Sequence, residues 1–218
     1  MFTTLIVLAT VLLTNANREI NIYNRCPFPT WVGINGIGSF EQNKKLNNEQ
    51  SYKIFVDPKW NGTIFPKTHC DANGRACQSG DLPYPRTTAN FQMDFVNDQD
   101  LYDVSLVQGY NVPVFIEPYG GTECTRAGGC FSDVNQVCPS NLVIRRDGFN
   151  IACKSPCSFL ATDKECCTGP YSTPDKCFRS EIASIFKEAC PTAFSYKFDD
   201  ATSTFACQKV ATYVVQFC

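Results

Sequence analysis

The 218-residue sequence has one histidine, His69, and no C-x-x-C pair. Zinc sites need clustered cysteine pairs and histidines, so no metal ligand set is legible. Excess charge of either sign is also missing. A formal net charge of −2 and a pI near 5.4 leave no basic stripe for nucleic acid or anionic lipid. There is no G-x-S-x-G elbow, and no glycine loop leads into a helix to cradle phosphate. A Ser-His-Asp or Cys-His device would have to use His69, which abuts Cys70 and reads as structural or solvated. Beyond residue 16 no stretch is apolar for long enough to form a membrane helix of about 20 residues. Cofactors and stable membrane insertion therefore drop out of the reading.

The first sixteen residues lack any charged side chain and hold an apolar run from Leu5 to Leu13. That length suits a signal-peptide core and is too short for a bilayer of ~30 Å. Thr14 and Ala16 place small side chains at −3 and −1, which predicts cleavage before Asn17. No lysine or arginine precedes the run, and a buried N-terminal strand is the alternative. Fourteen cysteines, an even number, point independently to an oxidising compartment. The expectation is a soluble, secreted, extracellular monomer stapled by disulfides.

From Arg18 to Pro118 the pattern is strands and turns. Ile20 and Ile22 alternate with polar neighbours, as do Tyr52, Ile54 and Val56, and Asp103 to Ile116 is β-rich with breaks at Gln108-Gly109 and Pro113. Turn signals are dense: Asn35-Gly36, Asp57-Pro58, Asn61-Gly62, Asn73-Gly74 and Gly120-Gly121. Between Cys130 and Cys190 the character changes to cysteine-rich sequence. There Ile182, Ile185, Phe186 and Ala189 form one helix face, and Cys190-Pro191 ends it. A shorter helix is expected around Ser155 to Glu165. Tyr213, Val215 and Phe217 then alternate as a final strand. The fold class is mainly β: a β-sandwich or barrel core built from both ends of the chain (17–130 plus 190–218) and an inserted cysteine-rich lobe (131–189) containing one or two short helices.

At this point the residues resemble the thaumatin-like family over nearly the whole mature chain. The resemblance rests on Ile22-Tyr-Asn-Arg-Cys26-Pro, Thr68-His-Cys70, Gly74-Arg-Ala-Cys77-Gln-Ser-Gly-Asp81 and Asp103-Val-Ser-Leu-Val-Gln-Gly-Tyr-Asn-Val-Pro113. It continues in Glu165-Cys-Cys-Thr168, Cys190-Pro-Thr-Ala-Phe-Ser-Tyr196, Thr202-Ser-Thr-Phe-Ala-Cys207 and Val215-Gln-Phe-Cys218. The order and spacing of these segments make it specific. It implies a flattened β-sandwich core with a small disulfide loop at 70–84, a cleft between body and lobe, and the pairs Cys26–Cys218, Cys70–Cys77, Cys124–Cys207 and Cys130–Cys190. It also implies Cys138–Cys153, Cys157–Cys166 and Cys167–Cys177. Plant members usually carry sixteen cysteines; here Gly80-Asp81-Leu82 replaces a glycine-aspartate-cysteine segment, and one whole bridge is gone.

Many members of the family line the cleft with one Arg, one Glu and three Asp, associated with binding and sometimes weak hydrolysis of β-1,3-glucan. Those positions fall here on Thr63, Asn90, Asp103, Gln108 and Thr192, so one carboxylate of the set survives. Glycoside hydrolysis ordinarily needs two carboxyl groups, about 5–5.5 Å or 6.5–9.5 Å apart. Asn90, Gln108 and Thr192 can hydrogen-bond sugar hydroxyls but cannot carry a catalytic proton. Asp94, Asp98, Asp100 and Glu117 are the nearby acids that could substitute. Asn61-Gly62-Thr63 is the chain's one N-x-S/T acceptor, and a glycan there is expected at the cleft rim. The leading expectation is a non-catalytic defence protein that binds microbial cell-wall carbohydrate of β-1,3-glucan type. The alternatives are a weak endo-β-1,3-glucanase, or an inhibitor or receptor-binding module that acts on a protein partner through surface loops.

Overall fold

The first described strand, β1 (Arg18–Asn24), runs parallel to the last, β14 (Thr212–Phe217), with Ile20 opposite Tyr213 and Ile22 opposite Val215. A computed structural model describes residues 17–208 and 210–218. The signal peptide expected at 1–16 lies outside the described residues. The other edge of β1 pairs antiparallel with β4 (Gln50–Val56), and β14 pairs with β8 (Val114–Tyr119). The two-residue β9 (Ala127–Gly128) completes a five-stranded sheet in the order β4-β1-β14-β8-β9. Alternation is strict along β1 and β14: Ile20, Ile22, Tyr213, Val215 and Phe217 are fully buried while their neighbours face outward.

The second sheet has seven strands. β7 (Gln99–Ser105), β6 (Thr88–Val96), β5 (Asn61–Lys67), β2 (Thr30–Gly36) and β3 (Lys44–Leu46) follow one another antiparallel. The free edge of β7 is shared by two later segments. β12 (Ala193–Phe194) pairs parallel with Val104 and Ser105, and β13 (Thr204–Gln208) pairs antiparallel from Asp103 back to Gln99. Between the sheets lies one core, including the aromatic chain Trp60, Phe91, Tyr213 and Tyr102. Asp100 is fully buried within it and joins both sheets. Its carboxylate accepts from Tyr213 Oη at 2.9 Å and from the Asp94 backbone N–H at 2.9 Å, with Arg18 at 3.7 Å.

Two expected turns are strand instead. Asn61-Gly62 opens β5 opposite Phe91 and Gln92, and Asn35-Gly36 ends β2 with Gly36 facing Gly62. The physical reason is Trp60. A Cβ on Gly62 would lie 2.1 Å from the indole, and one on Gly36 2.7 Å, so the two glycines make room for the ring. In the lobe, the helix expected at Ser155–Glu165 is two: α2 (Pro156–Leu160) and α3 (Asp163–Cys166). Ala161 adopts φ 51° and closes α2, and Thr162 caps α3 through the Glu165 N–H. The third long segment behaves as read: α4 (Glu181–Ala189) buries Ala183, Phe186 and Ala189, starts on the Ser180 cap and stops before Pro191. The remaining short helices are α1 (Val134–Val137) and α5 (Asp200–Ser203), and β10 (Val143–Arg146) with β11 (Phe149–Cys153) forms a hairpin.

All fourteen cysteines are bridged in the seven pairs that the resemblance implied, from Cys26–Cys218 to Cys167–Cys177. Where the eighth bridge is missing, the chain is held by a buried lysine. Lys67 Nζ donates to Asn43 Oδ1 at 2.6 Å, the Gly74 carbonyl at 2.7 Å and Asp81 Oδ2 at 3.1 Å. Among the described residues no helix is long and apolar enough to cross a membrane. Gly62→Ala should push the indole of Trp60 out of place and destabilise the oxidised protein by about 1–3 kcal/mol, the usual cost of overpacking. Guanidinium denaturation followed by tryptophan fluorescence measures it; an unchanged midpoint would remove Trp60 as the reason for glycine there.

Candidate functional site

Three strands of the seven-stranded sheet bring Thr63, Asn90 and Asp103 into one row, because Thr63 is opposite Asn90 and Asn90 is opposite Asp103. Each side chain holds the next. Thr63 Oγ1 donates to Asn90 Oδ1 at 3.0 Å, and Asn90 Nδ2 donates to Asp103 Oδ1 at 2.7 Å. Asp103 Oδ2, the second N–H of Asn90 and the lone pairs of Thr63 remain for a ligand. Asn90 and Asp103 lie in an open hollow of about 290 Å³, with Asn61 and Gln92 on one side and Phe194, Asp200 and Thr204 on the other.

The wall of this hollow follows from the shared edge of β7. Pairing changes from parallel β12 to antiparallel β13 between Val104 and Asp103, and the chain from 195 to 203 leaves the sheet there. That excursion contains α5 and places Asp200 beside Asp103. Every residue lining the hollow lies in 61–103 or 194–204. The expected cleft between body and lobe is thus, at this row, a hollow within the β body, because the 194–204 segment supplies the second wall.

The other two expected positions are not part of the row. Gln108 is exposed beyond the end of β7, where its Oε1 accepts from Arg86 Nε at 2.5 Å. Thr192 turns its hydroxyl to the Gly128 carbonyl at 3.0 Å. The four acids considered as substitutes are elsewhere. Asp94 and Asp98 border a separate hollow with Lys59, Asp100 is buried under Tyr213, and Glu117 is on β8 in the other sheet. Asp200 is the second carboxyl of the hollow, and sequence reading missed it because its proximity to Asp103 depends on the β12–β13 switch.

Arg86 was missed as well. It is 7% exposed, its guanidinium lies 4.2 Å from the centre of the Phe65 ring, and Gln108 fixes its Nε. Phe65 is two residues along β5 from Thr63, on the same strand face. Arg86, just before β6, thus places a cation near the Thr63 position of the row. Among the described residues no group of three or more His, Cys, Asp or Glu side chains is placed to hold a metal ion.

Burial is the dominant influence on Asp103 and raises its carboxyl to about 6; Asn90's hydrogen bond opposes this and the charge of Asp200 adds to it. A carboxyl whose folded pKa is raised binds a proton more readily in the folded state. Its contribution to stability is full below pH 4 and is lost as pH rises through about 6. Asp103→Asn should therefore flatten the wild-type decline across pH 4–6 and raise stability at pH 7 by on the order of 2 kcal/mol. Denaturant midpoints at pH 3.5, 5 and 7 test this, and parallel curves for the two proteins would contradict it.

Comparison with known proteins follows the same lines. The family model for the thaumatin family matches residues 24–218. A Cryptomeria japonica protein named pathogenesis-related thaumatin-like protein 3.5 is 39% identical over 216 residues, covering 90% of this chain and 88% of its own. A Prunus avium protein named glucan endo-1,3-beta-glucosidase is 34% identical over 244 residues, covering 100% of both chains. Among solved structures, a β-1,3-glucanase domain from Clostridium beijerinckii superposes with a TM-score of 0.58 over 95% of this chain and 100% of that one, at 8% identity, which is a likeness of fold alone. With the matched span running from the first strand to the last cysteine, the chain belongs to the thaumatin family.

Proposed function

We propose that the protein is a secreted defence protein that binds β-1,3-glucan-type carbohydrate in the Asp103 hollow without cleaving it. The observation that carries this reading is the Thr63–Asn90–Asp103 row, in which Thr63 fixes Asn90 while Asn90 and Asp103 present acceptors and one spare N–H to an open hollow. Sugar hydroxyls both donate and accept, and rigid polar groups beside a ring such as Phe194 are what polyol recognition requires. Asn61 is exposed at the rim, so a glycan on it would stand over the hollow.

A second reading, weak hydrolysis, is favoured by one observation: Asp103, with its carboxyl raised to about 6, has Asp200 beside it. A proton donor and a second carboxylate are the minimum for a glycosidase. The name of the Prunus avium relative fits that reading. Against it, Asp200 is exposed at the start of a four-residue helix and lacks the fixed partners that orient a nucleophile or base.

Incubating the oxidised protein with insoluble β-1,3-glucan, and scoring pull-down and reducing ends together, separates the two. The expected result is binding without new ends, weakened about tenfold by Asn90→Ala or Asp103→Ala, as the loss of one or two hydrogen bonds implies. New ends that disappear in both Asp103→Ala and Asp200→Asn would establish the glucanase instead. Peptide mapping before and after glycosidase treatment reports on Asn61; with a glycan present, Asn61→Gln should strengthen glucan binding.

A further inference from the structure

A second hollow, of about 570 Å³, opens between the β body and the β10–β11 hairpin and shares no lining residue with the first. The body contributes Phe28, His69, Val112 and Pro113; the lobe contributes Asn135, Arg146, Phe149 and Ile151. Its size falls within the roughly 300–1,000 Å³ of small-molecule sites, and its walls are mostly hydrocarbon, as such sites are. Phe149 stands near the hairpin tip with 75% of its surface exposed, and Phe28 is 39% exposed. Two half-wetted aromatic rings beside one hollow are unused apolar surface.

Polar residues also line the hollow, and the roles of several follow from their partners. Asn111 Nδ2 donates to Ser79 Oγ at 3.2 Å, Ser79 lies 2.6 Å from Thr68 Oγ1, and Thr68 Oγ1 lies 2.9 Å from His69 Nδ1. Ser79 is fully buried, so its hydrogen goes to Thr68, and the Thr68 hydrogen goes to His69 Nδ1. His69 therefore keeps its ring proton on Nε2. Burial, reinforced by Arg146 and opposed by Asp147, lowers its pKa and holds it neutral at pH 7. Asn135 is the complement. It is 7% exposed, its Nδ2 donates to the Asn111 carbonyl at 2.8 Å, and its Oδ1 has no partner. Oδ1 lies just beneath the wall, so the lobe side must yield slightly for a ligand to reach it. At the rim Arg146 and Asp147 cancel each other at 3.2 Å, and Asp133 is engaged in capping α1.

We propose that this hollow binds a neutral, hydroxylated ring compound, its rings against Phe28 and Phe149 and its hydroxyls reading the His69 Nε2–H and Asn135 Oδ1. Apolar surface with the His69 N–H and the unmet Asn135 acceptor beside it suits such a molecule. Arg146 and Asp147 pair with each other at the rim, so a charged ligand gains little from either. The site is independent of the glucan reading, since no residue is common to both.

The test titrates the disulfide-bonded protein with 2-naphthol, followed by the probe's own fluorescence, and with 17β-estradiol, followed by calorimetry. Saturable one-to-one binding of at least one is expected. The matching ring without a hydroxyl (naphthalene) and its anion (2-naphthoate) should bind at least tenfold more weakly than 2-naphthol. Phe149→Ser should weaken binding at least fivefold without moving the melting temperature, because Phe149 is largely solvated, and His69→Asn should weaken it while keeping the turn. Neither substitution should alter glucan pull-down. Absence of saturable binding by both probes would overturn the proposal, as would affinity unchanged in both variants. Naphthalene binding as tightly as 2-naphthol would overturn the assigned polar contacts.

Discussion

The parallel pairing of β1 with β14 is the constraint from which the rest of the architecture follows. Joining the first described strand to the last turns everything between them into a closed excursion, and Cys26–Cys218 fixes it across a sequence separation of 192. In the chain-entropy account such a long closure removes roughly 5 kcal/mol of unfolded-state freedom. The pairing also sets the core. Ile20, Ile22, Tyr213 and Val215 point inward together, and Tyr213, with Arg18 of β1, reaches across to the buried Asp100 of the second sheet. Slipping β14 by one residue would turn all of these outward and strip Asp100 of its phenol.

Once the ends are joined, the chain returning to β14 must run beside β7, and there it pairs twice. β12 arrives parallel and β13 leaves antiparallel, and the residues between them cannot remain in the sheet. Lys187 steadies this departure from α4: its ammonium lies 3.0 Å from Asp199 and donates to the Ala193 carbonyl at 3.1 Å and to Ser203 Oγ at 2.8 Å. Asp199 in turn accepts from the backbone N–H and hydroxyl of Ser195. The wall of the Asp103 hollow is therefore fixed by a buried ion pair rooted in the lobe, although no lobe residue lines the hollow.

Most of this fold was legible because it rests on local pattern. Alternation at 20–22 and 213–217, the 182–189 face and its Cys190-Pro191 stop are periodicities and end signals that need no partner to be read. The cysteine pairs came from resemblance; spacing alone leaves many connectivities open. What stayed hidden was what depends on distant residues. Asn61-Gly62 carries a strong turn signal, yet Trp60 needs the space of both Gly62 and Gly36, and tertiary packing overrides the dipeptide. Arg86 lacks any motif, and its role is visible only once Phe65 lies beneath it and Gln108 beside it. Asp200 is 97 residues from Asp103 in sequence (200 minus 103) and meets it only through the β7 edge.

The chemistry of the row follows from what each substitution does to its neighbours. An arginine at position 63, usual in the family, would give Asp103 a nearby positive charge and favour its ionised form. With Thr63 and Asn90 there instead, burial lifts the Asp103 carboxyl to about 6; the Asn90 amide opposes the rise and the like charge of Asp200 adds to it. Arg86, just before β6, is held over Phe65 and tied to Gln108, and it is not among the groups that set Asp103. Replacing one member of an ion pair alone leaves a buried charge uncompensated. Here the arginine, the glutamate and two of the aspartates are all replaced by neutral side chains, so only one carboxylate is left in the row without a counter-ion. Hydrogen bonds passed from Thr63 to Asn90 to Asp103 stand where charges would otherwise balance, and they leave Asp103 Oδ2 and the second N–H of Asn90 as the polar groups a ligand would meet.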